Sequence, residues 1–553
     1  MLLGSSKPVK QDGCKLEVAQ KGAMDRLGRL GVTGRYFRLP KRIEDDLILE
    51  DTVLGTGYNG AVVSAVSRVR KTKDMDSVKF AVKSFSLRGI DEAAKIQLAG
   101  ELEVFLSMDH PHVARLHGVY EAEEKISLAM ECMTGGELFD RVVQTEVFTE
   151  KDAALSTWHM LQSVSYIHRE GVVHRDLKLE NFLYDAPGSE FLKLIDFGFS
   201  KFYKDLKMNE ALGTLHYAAP EVLRKDYRSG SCDMWSLGVI VFILLSGCMP
   251  FARETDAETM RAIVKGSYTM KPGRWGHISK QGIDFVRRLL VVNPKERLTA
   301  KGALVHPWIM QRRGGSGDFV GGTELSIAQG FISFAKATRF RRACLQLMAW
   351  SLTLDERRQL RQAFIELSDS HGGVVKKKDL DELLKGRICD VEGKPCPTLI
   401  EAVAMLDFGP NDEIRYSDFL AAMMACTDFD AREGAMRATF RRLDANGGGY
   451  ISEKDLQEVL GEGADVRGII LEIADEARYN GEVPAHHKVS VEEFMAYLKG
   501  GDQQLESHGI PEKWQYSALA MRPAAAVKEK GMHGRLKARL RALIGRNGEF
   551  GGA

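Results

Sequence analysis

Several short runs combine glycines, carboxylates and one lysine in the order that handling a chain of phosphates demands. Leu54-Gly-Thr-Gly-Tyr-Asn-Gly-Ala-Val62 places glycines at 55, 57 and 60, where a missing Cβ lets backbone approach a phosphate closely. Such a run also occurs in dinucleotide folds and ordinary hairpins, so the residues just beyond it decide between them. A dinucleotide fingerprint needs a helix there, whereas Ala61-Val-Val-Ser-Ala-Val66 reads as a strand. Phe80-Ala-Val-Lys83 ends an apolar run on a lysine, which is costly to bury without a partner. Glu101, in the helical run from Ala94 to Met108, is the candidate partner, and a Lys–Glu pair beside a nucleotide would hold its α- and β-phosphates. Without that partner Lys83 reads as an exposed strand-end lysine. Three further runs come in order: His174-Arg-Asp-Leu-Lys-Leu-Glu-Asn181, Asp196-Phe-Gly198 and Ala219-Pro-Glu221.

Together, over residues 47–309, these runs resemble the eukaryotic protein kinases. The resemblance implies ATP as phosphoryl donor and Mg²⁺ to neutralise it, with Asn181 and Asp196 as the hard oxygen ligands that this ion prefers. It puts Asp176 where a carboxylate orients the acceptor hydroxyl and takes its proton, and Lys178 where an ammonium offsets charge on the γ-phosphate. Leu54, Gly55, Thr56, Gly57, Tyr58, Asn59, Gly60, Ala61, Val62, Ala81, Glu131, Met133 and Leu183 fall at nucleotide-lining positions, with Met130 through Met133 as the hinge that reads adenine. Asp233 falls where an aspartate braces the catalytic loop, and Arg297 where an arginine partners Glu221. Lys178, with Gly213-Thr214 ahead of Ala219, resembles serine/threonine rather than tyrosine kinases. Glu137 and Glu180 match acidic positions that line the peptide groove of basophilic kinases, which implies substrates with Arg or Lys N-terminal to the target. Glu210 stands where many kinases carry an activating phosphate, so a carboxylate there is expected to pair with Arg175 unmodified. One departure is Asn59, where many relatives have an aromatic residue. The rival reading, a catalytically silent scaffold, would usually have lost Lys83, Asp176 or Asp196.

These groups need elements to carry them: a β-rich small lobe for the glycines and Lys83, and a helical large lobe for the rest. The apolar run Trp235 to Phe251 is shorter than a membrane span and reads as a buried core helix. The kinase-like part ends near residue 309, and Gln311-Arg-Arg-Gly-Gly-Ser-Gly-Asp318 reads as a linker. Residues 310–351 then hold an amphipathic stretch, Ser326 to Trp350. Ile327, Phe331, Phe334, Leu345 and Met348 recur at helical spacing beside Lys336, Arg339, Arg341 and Arg342. Bulky anchors on a basic helix are the usual target of a calmodulin-like groove; a plain packing helix is the alternative.

Residues 352–500 show a weak repeat. Phe364 lies four before Ser368 and Phe440 four before Asp444, each followed by a Gly pair and an apolar residue. This resembles a calmodulin-like EF-hand domain, and the whole of 47–500 resembles the calcium-dependent protein kinases of plants and protists. The fold class expected is therefore α+β, a two-lobed kinase followed by an all-α EF-hand domain that docks on the junction helix. A calcium loop needs oxygen ligands at positions 1, 3 and 5, Gly at 6 and a bidentate Glu at 12. The third loop, Asp444 to Asp455, fits at Asp444, Asn446, the Tyr450 carbonyl and Asp455, but Gly448 offers no side-chain ligand and Asp455 is one methylene short. The first loop, Ser368 to Asp379, has Gly372 at position 5 and Lys376 at 9; the second, Asp407 to Asp418, has Gly409 at position 3 and Arg415 at 9. In the fourth, Glu493 suits position 12, but the residues before it make no standard loop. Calcium-independent kinase activity is the alternative these loops raise.

The chain of 553 residues carries 77 Lys+Arg against 76 Asp+Glu, so it has no overall field to draw a polyanion, and no nucleic-acid partner is expected. Charge is concentrated at the ends. Residues 1–42, within an N-terminal extension of 1–46, hold ten Lys/Arg against three Asp/Glu; residues 527–546, within a tail of 501–553, hold seven against one. Such ends suit anionic membrane surfaces or simple solvation. The tail places Leu536, Leu540, Leu543 and Ile544 amid arginines and lysines, as in surface-binding helices or in a segment that docks on the kinase itself. None of the eight cysteines forms a Cys-x-x-Cys pair, which suits reduced thiols. The first residues lack the apolar core of a signal peptide, so a cytoplasmic location, with peripheral membrane contact through the ends, is expected.

Overall fold

The computed structural model describes residues 12–57, 60–68, 78–144, 148–203, 214–225, 229–312, 323–368, 373–378, 380–381, 397–406, 412–425, 433–479 and 488–506. The chain divides into two compact units. The first comprises residues 1–314 with 442–448 and 454–464; the second comprises 315–441, 449–453 and 465–553.

The first unit opens with helices α1 (Asp12–Leu27) and α2 (Arg29–Thr33), strand β1 (Tyr36–Arg38) and the short helix α3 (Ile43–Asp46). Strands β2 (Leu47–Gly57), β3 (Gly60–Ser67) and β4 (Lys79–Ser86) come next, then helix α4 (Glu92–Ser107) and strands β5 (Leu116–Glu121) and β6 (Lys125–Glu131). The sheet order is β1-β5-β6-β4-β3-β2. The glycine run is the β2–β3 hairpin, with Gly55 opposite Val62, Thr56 opposite Ala61 and Gly57 opposite Gly60. The strand expected after the glycines is therefore present. Alternation along β4 sends Val82 into a core with Phe37, Leu47, Ala65, Tyr120 and Ala129. Asp91 caps α4 by accepting from the Ala94 N–H at 2.7 Å, the preferred use of aspartate at a helix start.

The solvated basic tail considered for residues 1–46 does not hold where the segment is described. β1 adds to the sheet edge, Tyr36 pairing in parallel with Val119 and Arg38 with Glu121, and α1 packs along α4. Arg35 is fully buried, its guanidinium donating to the carbonyls of Gly31 (2.6 Å), Leu116 (2.8 Å) and Leu106 (2.9 Å). Those three oxygens satisfy a charge that would be costly to bury alone. In the same unit Arg442 donates to the Gly34 carbonyl at 2.7 Å and Thr33 to that of Val459 at 2.7 Å.

The large lobe is built on α5 (Leu138–Gln144), α6 (Glu150–Arg169) and the helix Ser231–Ser246. Thr149 and Asp152 form a capping box at the start of α6. Ser231–Ser246 is apolar all round and buried along its length, as expected for the run from Trp235, and stops at Gly247, whose φ of 66° is left-handed. Short strands β7 (Val172–Val173), β8 (Phe182–Tyr184), β9 (Leu192–Leu194) and β10 (Lys201–Phe202) carry the loops between the functional motifs.

In the second unit the stretch expected as one long helix is two, Thr323–Lys336 and Arg339–Ser351. The Thr338 hydroxyl caps the second by accepting from the Arg341 N–H. Both pack on EF-hand helices: the first on Pro397–Met405 and Tyr416–Met424, the second on Tyr416–Met424. Ile327, Phe331, Phe334, Leu345 and Met348 are all buried. Paired short strands, Val375 opposite Ile414 and Ile451 opposite Val489, join loops two by two.

Candidate active site

Each motif side chain is set by a different element. Lys83 sits on β4 between Val62 of β3 and Leu128 of β6, and Glu101 lies mid-way along α4. The Lys83 ammonium donates to Glu101 Oε1 at 2.6 Å and lies 3.5 Å from Asp196 Oδ1. Burial pushes the Lys83 pKa down, but the two carboxylates outweigh it and leave the group above its usual value. Burial likewise pushes Asp196 up, while Lys83 and the Gly198 N–H more than reverse this and hold its carboxyl below the usual range. Asp196 has φ 58°, a conformation in which aspartate is tolerated better than most residues. Its Oδ1 accepts from the Gly198 N–H at 3.1 Å.

Asp176 is buried at the head of a loop braced from below. The Asp233 carboxylate accepts from the backbone N–H groups of His174 and Arg175, each at 2.9 Å, and pairs with His168 at 2.8 Å. Burial would raise the Asp233 pKa; these donors lower it past its ordinary value. The brace permits φ 71° at Arg175. Asp176 Oδ2 lies 3.1 Å from the Lys178 ammonium, and its Oδ1 accepts from the Thr214 N–H at 3.1 Å. Asn181 donates its amide to the Asp176 carbonyl at 2.7 Å, which fixes which end of that amide is free to coordinate. With the Asn181 oxygen and the Asp196 carboxylate, the donors fit Mg²⁺ chemistry: hard oxygens, one of them charged.

Ala81 on β4 pairs with Met130 on β6, Glu131 ends β6, and Met133 comes after it half-buried. Leu183 on β8 bridges to Glu137. Leu54 and Ala61 are exposed on the hairpin and Val62 is half-buried; Tyr58 and Asn59 lie outside the described residues. Burial first, then the nearby Asp140 and Glu180 carboxylates, raise the Glu137 pKa, with Lys178 opposing them. Arg297 grips Glu221 with two parallel bonds of 2.6 and 3.0 Å. Arg175 donates to the Phe199 carbonyl at 2.5 Å; its expected partner Glu210 lies outside the described residues.

Sequence reasoning missed Lys193, buried on β9 and paired with Glu131 at 2.7 Å. The pair anchors the hinge from behind. Its only signal was a lysine between two leucines in a strand.

The EF-hand positions give a different picture. Asp455 Oδ1 accepts from the Asn446 side-chain amide at 2.6 Å and from its backbone N–H at 3.3 Å, while Asp444 Oδ1 accepts from the Gly448 N–H at 2.9 Å. Tyr450 is exposed just ahead of strand Ile451–Ser452. Asp418 accepts from Gln346 at 2.9 Å, and Glu493 from the Ser490 N–H at 2.7 Å. Among the described residues no three His, Cys, Asp or Glu side chains gather as a metal cluster.

A glycine hairpin over a Lys–Glu–Asp contact, with a braced aspartate opposite, defines a protein kinase, and the protein kinase domain family matches residues 49–309. The similarity runs well past that domain. The chain is 32% identical to calcium-dependent protein kinase 3 of Oryza sativa subsp. japonica over 483 residues, 86% of this chain and 85% of that one. It is 31% identical to calcium-dependent protein kinase 13 of Arabidopsis thaliana, covering 88% and 89%. It is 29% identical to calcium-dependent protein kinase 3 of Plasmodium berghei, covering 76% and 74%. The chain belongs to the calcium-dependent protein kinase family: a serine/threonine protein kinase regulated by a calmodulin-like domain. No helix among the described residues is long and apolar enough to cross a membrane.

Proposed function

We propose that Asp176 orients the substrate Ser or Thr hydroxyl and takes its proton, while Lys178 steadies the γ-phosphate being moved. Lys83, held by Glu101, positions the α- and β-phosphates of ATP. Asn181 and Asp196 would hold Mg²⁺, which when bound neutralises phosphate charge. The observation carrying this reading is the run of contacts from Glu101 through Lys83 to Asp196, made by residues from three separate elements. Glu137 and Glu180 favour a basic residue N-terminal to the target; the nearness of Asp140 and Glu180 to Glu137 supports it.

Regulation runs through the EF-hand helices that enclose the two junction helices. The relatives are named calcium-dependent. Here the third loop is the one that keeps side-chain oxygens near the required positions, and its Asp455 already spends an oxygen on Asn446. Its set falls short of the six to eight oxygens that calcium takes, so calcium binds weakly there and much of the activity persists without it. The test is phosphate transfer to a basic peptide with and without chelator. Asp176→Asn should lower kcat by about 10²- to 10⁴-fold, the usual share of a general base, and chelator should leave most wild-type activity. Undiminished Asp176→Asn activity removes the catalytic reading; complete loss with chelator removes the calcium reading.

A further inference from the structure

The basic N-terminal segment has no role in the chemistry above, yet its helix α1 packs along α4. The two helices approach closely because α1 offers small residues: Ala19 and Ala23 are buried, and a Cβ at Gly22 would collide with the Glu103 carboxylate. Beside that gap Arg26 reaches out. Its Nη2 donates to Glu103 Oε1 at 3.1 Å, and its guanidinium carbon lies 3.6 Å from the centre of the Phe202 ring. Glu103 is two residues beyond Glu101 on α4. Phe202 is on β10, six residues after Asp196. Arg26 therefore ties the helix that supplies one partner of Lys83 to the strand following the other.

We propose that Arg26 is a positioning residue for phosphoryl transfer, clamping α4 and β10 together so that Glu101 and Asp196 reach Lys83 at once. These two contacts are of different kinds. The ion pair is partly exposed and adds little to global stability; the planar stack on an aromatic face needs a guanidinium rather than an ammonium. Arg35, whose guanidinium takes the Leu106 carbonyl, holds the same C-terminal end of α4. The clamp adds to two other links between α4 and the Asp196 segment, a Gln97 donation to the Gly198 carbonyl at 3.1 Å and a contact of the Phe105 and Phe197 rings, 5.4 Å between centres.

The inference rests on the catalytic reading above, so Asp176→Asn must first lower kcat by at least about 10²-fold in the same assay. The full chain is then compared as wild type, Arg26→Ala, Arg26→Lys, Phe202→Leu and Arg26→Ala/Phe202→Leu. Steady-state kinetics on a basic peptide are normalised to the folded fraction from circular dichroism. Arg26→Ala should lower kcat per folded molecule about tenfold, the scale of mutations that shift coupling between packed elements, with the peptide KM within about twofold. Arg26→Lys should recover only part of the loss. Phe202→Leu should lose about threefold, and the double variant should be no worse than Arg26→Ala, because both act through one contact. The proposal fails if Arg26→Ala stays within about twofold of wild type, if Arg26→Lys recovers fully, or if the two losses multiply. Should Arg26→Ala not fold, an unchanged kcat in Phe202→Leu overturns it alone.

Discussion

The catalytic site and the third EF-hand loop are built from the same kinds of residue, carboxylates and amides in glycine-rich turns, yet differ in what holds them. At the catalytic site the partners arrive from separate elements: Lys83 from β4, Glu101 from α4, Asp196 from the loop before β10. In the loop the partners are neighbours, Asn446 on Asp455 and Gly448 on Asp444. Chemistry that depends on assembly from a distance constrains the fold around it. A loop that satisfies its own carboxylates can lose ion-binding positions while its helices stay packed, and this chain shows both outcomes.

Three measurements probe that contrast. The largest effect belongs to the assembled region. Arg297→Ala leaves the Glu221 carboxylate buried without its two-armed partner, and losing one side of a buried pair typically costs about 3–5 kcal/mol. Chemical denaturation should register this as a fall in the first transition; a change below about 1 kcal/mol would show that distance assembly does not tighten this region.

Next in size is repair of the loop. Gly448→Asp with Asp455→Glu supplies a position-5 oxygen and the longer position-12 carboxylate, and calorimetry should find calcium binding at least about tenfold tighter, or about 1.4 kcal/mol. Kinase activity of the repaired chain should become more sensitive to chelator. Unchanged affinity would mean that the loop's weakness lies in its backbone rather than its letters.

Smallest near neutral pH, and growing only as pH falls, is an effect set by acid. His110, stacked on Tyr166, is held neutral, its pKa lowered from 6.5 to about 3 by burial and then by Arg169 and Lys193. The unfolded chain therefore binds this proton first. Stability from this group is complete above pH 6.5, fades as pH falls towards 3, and changes no further below that. Melting curves across the window should show the first unit softening, and His110→Gln, which keeps an acceptor for the His112 N–H, should flatten the trend. Equal slopes in both proteins would assign the acid sensitivity elsewhere.

Much of the catalytic site was legible because its chemistry is spelled in side chains. Lys83, Glu101, Asp176, Asn181, Asp196 and the Glu221–Arg297 pair were all picked out from letters, and the structure makes the two pairings expected of them, Lys83 with Glu101 and Arg297 with Glu221. Arg35 was not legible, since its partners are the carbonyls of Gly31, Leu106 and Leu116, and a backbone oxygen leaves no letter. Helix α1 was missed for a related reason: its buried face is made of Ala19 and Ala23 beside Gly22, so close approach replaced the bulky periodicity that marks a packing helix. Lys193 was hidden by alternation, which assigns a polar residue between two leucines to a wet face, whereas Glu131 takes it inside. The junction was read as a single helix because its anchors keep helical spacing on either side of Ala337-Thr338, where the chain turns.

That turn has a consequence for how the regulatory half is held. With a capped restart at Thr338, the stretch is two handles rather than one rod. The first handle carries Phe331 against Phe419; the second carries Arg341, bonded to the carbonyls of Tyr497 and Leu498. Both handles share Tyr416–Met424, yet each adds a seat of its own, so the regulatory half is gripped at two places joined by a turn rather than along one rod.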